Sequence, residues 1–336
     1  MRGQLEWLTV DSGALRENSG GEPSHRRFPV YLPPGYADGK DRLPTVYLLH
    51  AFGASGFNWT HHNGFSPNSL QRLDRLIETG AVPPAIAVCP DGWTRLGGSQ
   101  WVNSAGTGRY ADYLAQDVVH AVDASFRTDP RPSARAVVGT SSGGYGALAV
   151  TRAHPSVFGH LACHSGDAFF EYCYLPDFPK AASALLDGGG VSLWFETFNR
   201  RARESQLRGN DHLVLNVLAM AAAYSPRAGQ PLGIELPFDL SSGRLLTEVW
   251  EKWLEHDPVR FIPKHRRAFA GLRSAFIDCG TQDEFNLRWG ARQVSEALIG
   301  VGAPVVHEEF PDGHRGISYR HERSLSYLLP RMGDSP

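Results

Sequence analysis

An apolar run, Ala136-Val137-Val138-Gly139, breaks directly into Thr140-Ser141-Ser142-Gly143-Gly144-Tyr145-Gly146-Ala147-Leu148, where small residues open a helix. A strand that turns into a helix with almost no loop leaves few folds open, because the helix must lie back across the sheet holding the strand. The same alternation recurs on both sides. Residues 28–32, 44–50 and 85–89 read as earlier strands, and 159–164, 275–279 and 304–310 as later ones. Leu70, Leu73, Leu76 and Ile77 mark one helical face, closed by Gly80, and Tyr110, Tyr113, Leu114, Val118 and Val122 mark another. Further helices are expected over 285–298 and 319–329. The pattern predicts an α/β fold with a mostly parallel central sheet and flanking helices.

Residues 166–265 break the alternation. They hold Gly188-Gly189-Gly190, helical patterns over 212–223 and 245–254, and many aromatics, among them Phe169, Phe170, Trp250 and Trp253. At 336 residues the length alone suggests two domains. A helical cap inserted at 166–265 into a single domain over 1–336 accounts for it more simply. A composition of 42% hydrophobic and 20% charged residues is ordinary for a globular chain, and a net charge of −2 offers no field for nucleic acid or an anionic membrane. Cys89, Cys163, Cys173 and Cys279 form no CxxC pair and read as reduced residues, not as a disulfide scaffold. The first residues lack the apolar stretch of a secretory signal, and no run of about 18 apolar residues exists, so the expected location is cytoplasmic.

Gly139-Thr140-Ser141-Ser142-Gly143 matches G-x-S-x-G in the context a nucleophile elbow requires, between a buried strand and a helix start. The helix N-terminus behind it favours developing negative charge. A Gly-rich phosphate-binding turn is the other reading, but the Lys of a phosphate loop is missing. A nucleophilic Ser needs a base, and the base an orienting acid. Asp283 follows the strand 275–279, and His314 follows the last strand in Gly313-His314, so the order is Ser, acid, His. Asp283 also reads as a helix N-cap before Phe285. Asp278 lies within its strand, Glu284 points elsewhere in the turn and Asp312 is too near His314, so they suit the acid's role less well. The stretch Tyr47-Leu48-Leu49-His50-Ala51-Phe52-Gly53 places a strand end and loop where a first oxyanion donor belongs, and the Ser142 N–H supplies the second. His50 is expected to pack there, not to act as base.

Tyr31-Leu32-Pro33-Pro34-Gly35-Tyr36, Val46-Tyr47-Leu48-Leu49-His50, the segment from Gly139 to Leu148, and Gly313-His314 together resemble the esterase D-like branch of α/β-hydrolases. That branch includes enterochelin esterases, feruloyl esterases, S-formylglutathione hydrolases, tributyrin esterases and mycolyltransferases. The resemblance covers most of 27–328 outside the cap. It implies an α/β-hydrolase fold, Ser141 as nucleophile, Asp283 as acid, His314 as base, and the backbone of Phe52 and Ser142 as oxyanion hole. Ala51 departs from the His-Gly pair of many relatives, and its Cβ narrows the approach to that loop.

The expected activity is serine carboxylic ester hydrolysis on short-chain or aromatic acyl esters of small alcohols. The alternatives are acyl transfer to an alcohol by the same triad, and a non-catalytic binding protein on the same fold. Trp101 in the loop before Tyr110, and Phe169 and Phe170 just beyond the strand 159–164, are candidate substrate-binding residues. His61-His62, and His160 with His164, lack the placement of zinc ligands, and no dinucleotide fingerprint is present, so no metal or cofactor is expected. The expected partner is a small ester; a homo-oligomer is compatible with the sequence.

Overall fold

In the computed structural model, residues 1–333 are described. Eight strands form one sheet: β1 (Gln4–Asp11), β2 (His25–Leu32), β3 (Thr45–Leu49), β4 (Ile86–Val88), β5 (Arg135–Thr140), β6 (His160–His164), β7 (Ser274–Gly280) and β8 (Val305–Phe310). Their order is β1-β2-β4-β3-β5-β6-β7-β8. Only β2 runs antiparallel to its neighbours; all pairs from β4 to β8 are parallel. The chain order reverses beside β3, and in open α/β sheets a crevice forms there, beyond the carboxyl ends of the strands.

The central strands are buried on both faces. Val46, Leu48, Ala136 and Val138 pack in one cluster, and their neighbours Tyr47, Leu49 and Val137 in the other. This is the period of two, with helices covering both sides. The sequence reading did not include β1. That strand sits at the sheet edge with only Val10 buried, so its hydrophobic signal is weak.

Helix α1 (Ser69–Glu78) is fixed by a reciprocal cap. The Gln71 N–H donates to Asn68 Oδ1 and the Asn68 N–H to Gln71 Oε1, both at 2.9 Å. The expected helix at Tyr110 forms as α2 over 110–125, with a π-helical turn at Tyr113–Val118 in its middle. Within that turn Asp117 accepts from Ser12 Oγ at 2.5 Å. Helix α3 (Ser142–Ala153) follows β5 without a loop.

Between β6 and β7 the chain is helical: α4 (Phe178–Asp187), α5 (Val191–Arg203), α6 (Asp211–Tyr224), α7 (Thr247–Leu254) and α8 (Pro258–Lys264). Most of its aromatics pack on one another. Trp253 lies 5.6 Å from both Phe178 and Tyr224, ring to ring. The buried carboxylate of Asp257 joins the two ends of this segment, accepting the N–H groups of Phe169 (3.0 Å), Phe170 (3.1 Å) and Val259 (3.1 Å). Helices α9 (Leu287–Gly300) and α10 (Arg320–Leu328) complete the layers. No helix among the described residues is long and apolar enough to cross a membrane, and all four cysteines are free and buried.

Candidate active site

Ser141 stands at the carboxyl end of β5 with φ 57° and ψ −127°. Left-handed backbone at a non-Gly residue costs on the order of 1–3 kcal/mol and persists only where the surroundings enforce it. Here they do. The Ser141 N–H donates to the His164 carbonyl of β6, and its own carbonyl accepts from the Tyr145 N–H, both at 2.9 Å. The flanking glycines are steric necessities: a Cβ on Gly139 would lie 2.2 Å from the Gly143 carbonyl oxygen, and one on Gly143 2.1 Å from the Leu49 oxygen.

The loops after β7 and β8 meet over this turn. A Cβ on Gly280 would fall 2.1 Å from the Asp312 carbonyl oxygen, so only glycine lets them close. Asp283 makes two contacts, one with each oxygen. Oδ1 accepts the Phe285 N–H at 2.9 Å, while Oδ2 faces His314 Nδ1 at 2.8 Å. His314 Nε2 then stands 3.0 Å from Ser141 Oγ. The Asp283 side chain is fully buried and that of His314 is 10% exposed. Phe285 packs edge-on against the imidazole with ring centres 4.8 Å apart.

Phe52 and Ser142 line the same cavity as Ser141. The Ser142 N–H belongs to the first turn of α3, where no intrahelical acceptor exists. The loop bearing Phe52 is tied by a bond from the Gly53 N–H to the Gly97 carbonyl at 2.8 Å. His50 packs, as expected. Its Nδ1 faces the Ala51 carbonyl at 3.0 Å, its Nε2 accepts the Gly92 N–H at 2.8 Å, and burial pushes its pKa down. Asp278 is likewise spent, held by His164 at 2.7 Å and Arg320 at 2.8 Å. Among the described residues no group of three His, Cys, Asp or Glu converges as a metal-holding set.

The cavity measures ≈ 440 Å³. Its wall does not include Trp101, Phe169 or Phe170. Trp101 is 2% exposed and lies behind the elbow, where the absent side chains of Gly92 and Gly146 leave room for its ring. Phe170 is fully buried, 4.6 Å from the Tyr174 ring and 5.6 Å from that of Tyr224. Phe169 lies against Tyr172, the rings tilted with centres 4.4 Å apart. Trp101 and Phe170 serve the core between sheet and inserted helices, whereas Phe169 is half-buried outside it. The cavity wall instead includes Asp167, Tyr174, His212, Leu213 and Asn216, with Arg315 next to His314. The sequence reading missed them. His212 and Asn216, four apart on α6, carried the helical spacing that puts both on one face. Burial, then the Arg315 charge, lowers the His212 pKa.

The sheet order, with Ser141, Asp283 and His314 each just beyond the end of a different parallel strand, is that of an α/β-hydrolase fold. Solved structures agree on the fold. A ferulic acid esterase superposes with a TM-score of 0.62 at 17% identity, covering 98% of this chain and 99% of that one. An S-formylglutathione hydrolase from Agrobacterium tumefaciens superposes with a TM-score of 0.58 at 16% identity, covering 99% and 96%.

Residues 23–297 match the model of the family described as "Putative esterase", and the chain belongs to that family. The matched span contains Ser141 and Asp283 and ends before His314. The chain is also similar to an endo-1,4-beta-xylanase/feruloyl esterase of Xylanibacter ruminicola, 28% identical over 168 residues, which are 48% of this chain and 22% of that protein. The matches span 22% to 62% of the lengths of the curated relatives.

Proposed function

We propose that this protein hydrolyses carboxylic esters through an acyl-enzyme on Ser141. The reading rests above all on the unbroken run from Asp283 Oδ2 through the His314 ring to Ser141 Oγ, with contacts of 2.8 and 3.0 Å. As Oγ attacks the acyl carbonyl, His314 Nε2 takes its proton. Asp283 holds the productive tautomer and stabilises the imidazolium. The N–H groups of Phe52 and Ser142 receive the oxyanion, helped by the positive end of α3. The alcohol leaves with the proton from His314, and water repeats the sequence to release the acid.

For the substrate, we take short-chain or aromatic acyl esters of small alcohols. A cavity of ≈ 440 Å³ walled by Phe52, Tyr174 and Phe285 suits a flat or compact acyl group. The feruloyl and formyl groups in the names of similar proteins fit that range. A fluorophosphonate probe should label the wild type and spare Ser141→Ala, and an ester panel graded in acyl length should show a steep fall for long chains. Labelling that persists in Ser141→Ala, or an unlabelled wild type, overturns the reading.

A further inference from the structure

The cavity wall contains a carboxyl that ester cleavage does not use. Asp167 lies three residues beyond the end of β6, is 6% exposed, and lines the same cavity as Ser141 and His314. A buried carboxylate is ordinarily paired with a cation or a metal, because taking a charge out of water costs more than neutral hydrogen bonds return. Asp167 has no cationic partner among the described residues. Its contacts are two neutral donors, Gln100 Nε2 at 2.8 Å and the Tyr174 hydroxyl at 3.0 Å, and both end on the same oxygen, Oδ2. Oδ1 accepts from no group among the described residues.

The cluster is firmly held. Gln100 sits in left-handed backbone at φ 53°, a conformation that must be enforced. Tyr174 packs edge-on against Phe170 and Trp253. Gln100 Oε1 is itself buried without a partner. Asp167 Oδ1 therefore stands without a donor at one wall of the pocket, and an acceptor that a bound ligand shuts off from water is costly to leave unpaired. Burial pushes the Asp167 carboxyl up.

We propose that Asp167 is a specificity-determining residue that receives a hydroxyl carried by the substrate, so that hydroxylated esters are preferred over otherwise identical esters without that group. This rests on the esterase reading above and adds the substrate chemistry to it. A site built to bond a hydroxyl discriminates against the analogue lacking it far better than an apolar pocket discriminates a methylene.

The test uses two ester pairs, phenethyl acetate and ethyl phenylpropanoate, each with and without a para-hydroxyl, which place the group on the alcohol or the acyl side. The wild type should favour the hydroxylated member of one pair by about 10- to 100-fold in kcat/KM, the range of one good hydrogen bond. In Asp167→Ala that ratio should fall to near one. Should the Ala variant fail to fold, Asp167→Asn, which exchanges one acceptor oxygen for a donor, should lower the ratio at least about threefold. The catalysis-free counterpart is calorimetric binding of the corresponding alcohols and acids to Ser141→Ala, with and without Asp167→Ala. Ratios near one in the wild type for both pairs, or ratios untouched by either Asp167 substitution, overturn the proposal. A hydroxyl preference in binding without turnover of any ester would sink the esterase reading, and with it the ester preference, while leaving Asp167 as a hydroxyl-binding residue.

Discussion

Glu284 Oε2 accepts the backbone N–H of His314 at 2.6 Å, one residue along from the carboxylate that takes the ring of the same histidine. Two adjacent acids thus hold one residue by its main chain and by its imidazole. Glycine at 313 lets the outer one close in, since a Cβ there would lie 2.9 Å from Glu284 Oε2. The bond from the His314 N–H also keeps the Glu284 carboxyl below its usual range. In the proposed mechanism Glu284 acts as a positioning residue. Glu284→Ala should lower kcat roughly tenfold with little change in KM, as expected when a base is slightly misplaced. Glu284→Gln, which keeps an acceptor, should restore most of the loss. Equal losses in steady-state kinetics for both variants would assign the effect to charge and not to placement.

Ser141→Ala and His314→Ala should each lower kcat by about four to six orders of magnitude, and the double variant should be little worse than either, because the residues act as one unit. Asp283→Asn should cost about four orders of magnitude through the wrong imidazole tautomer. Its remaining carbonyl oxygen can still accept the Phe285 N–H, so its melting temperature should stay close to that of the wild type. A large fall in melting temperature would show that capping, not tautomer control, dominates at this position.

Gly143→Ala should abolish soluble expression or activity. The added methyl meets the Leu49 carbonyl at 2.1 Å, and that oxygen belongs to β3 at the centre of the sheet. Neither side can yield cheaply, and overpacking against backbone costs several kcal/mol. A stable, active Gly143→Ala enzyme would mean the elbow is looser than these contacts require.

Acid should destabilise the fold in part through His256. Burial, then the Arg152 charge, lowers its pKa to about 4, and its Nδ1 is buried without a partner. The folded chain therefore holds this ring neutral while the unfolded chain protonates it near the ordinary histidine value. The stability it contributes is fully present above about pH 6.5 and is lost as pH falls toward 4. His256→Phe can keep the stacking on Tyr224, now at 4.7 Å. Between about pH 7 and pH 5 the variant should lose about 1–2 kcal/mol less unfolding free energy than the wild type, as read by urea titration. Equal losses would place the titration elsewhere.

The sequence was most legible where local geometry and chemistry coincide. The elbow at Ser141 needs a strand, small residues and a helix in immediate succession, so its placement follows from one stretch of chain. Asp283 and His314 were legible as candidates because each lies in a loop just beyond a strand that the sequence reveals. The pocket wall was not. Trp101, Phe169 and Phe170 are apolar and near the site in sequence, but hydrophobicity alone does not separate a ring facing a cavity from one filling a core. Asp167 and His212 reach the cavity only through the packing of α6 and the loop after β6, contacts distant along the chain that leave no periodic trace. The edge strand β1 escaped for a simpler reason, since a strand with one buried residue has almost no pattern to read.

The loops after β5, β7 and β8 present Ser141, Asp283 and His314, whereas much of the cavity wall comes from the segment between β6 and β7. The two contributions are separable along the chain. Insertions, deletions and substitutions over 167–216 can redraw what enters the cavity without moving the atoms that would break the ester. Reshaping of the cavity in this scaffold is therefore largely a problem of one continuous gene segment, open to swapping as a cassette while Ser141, Asp283 and His314 stay in place.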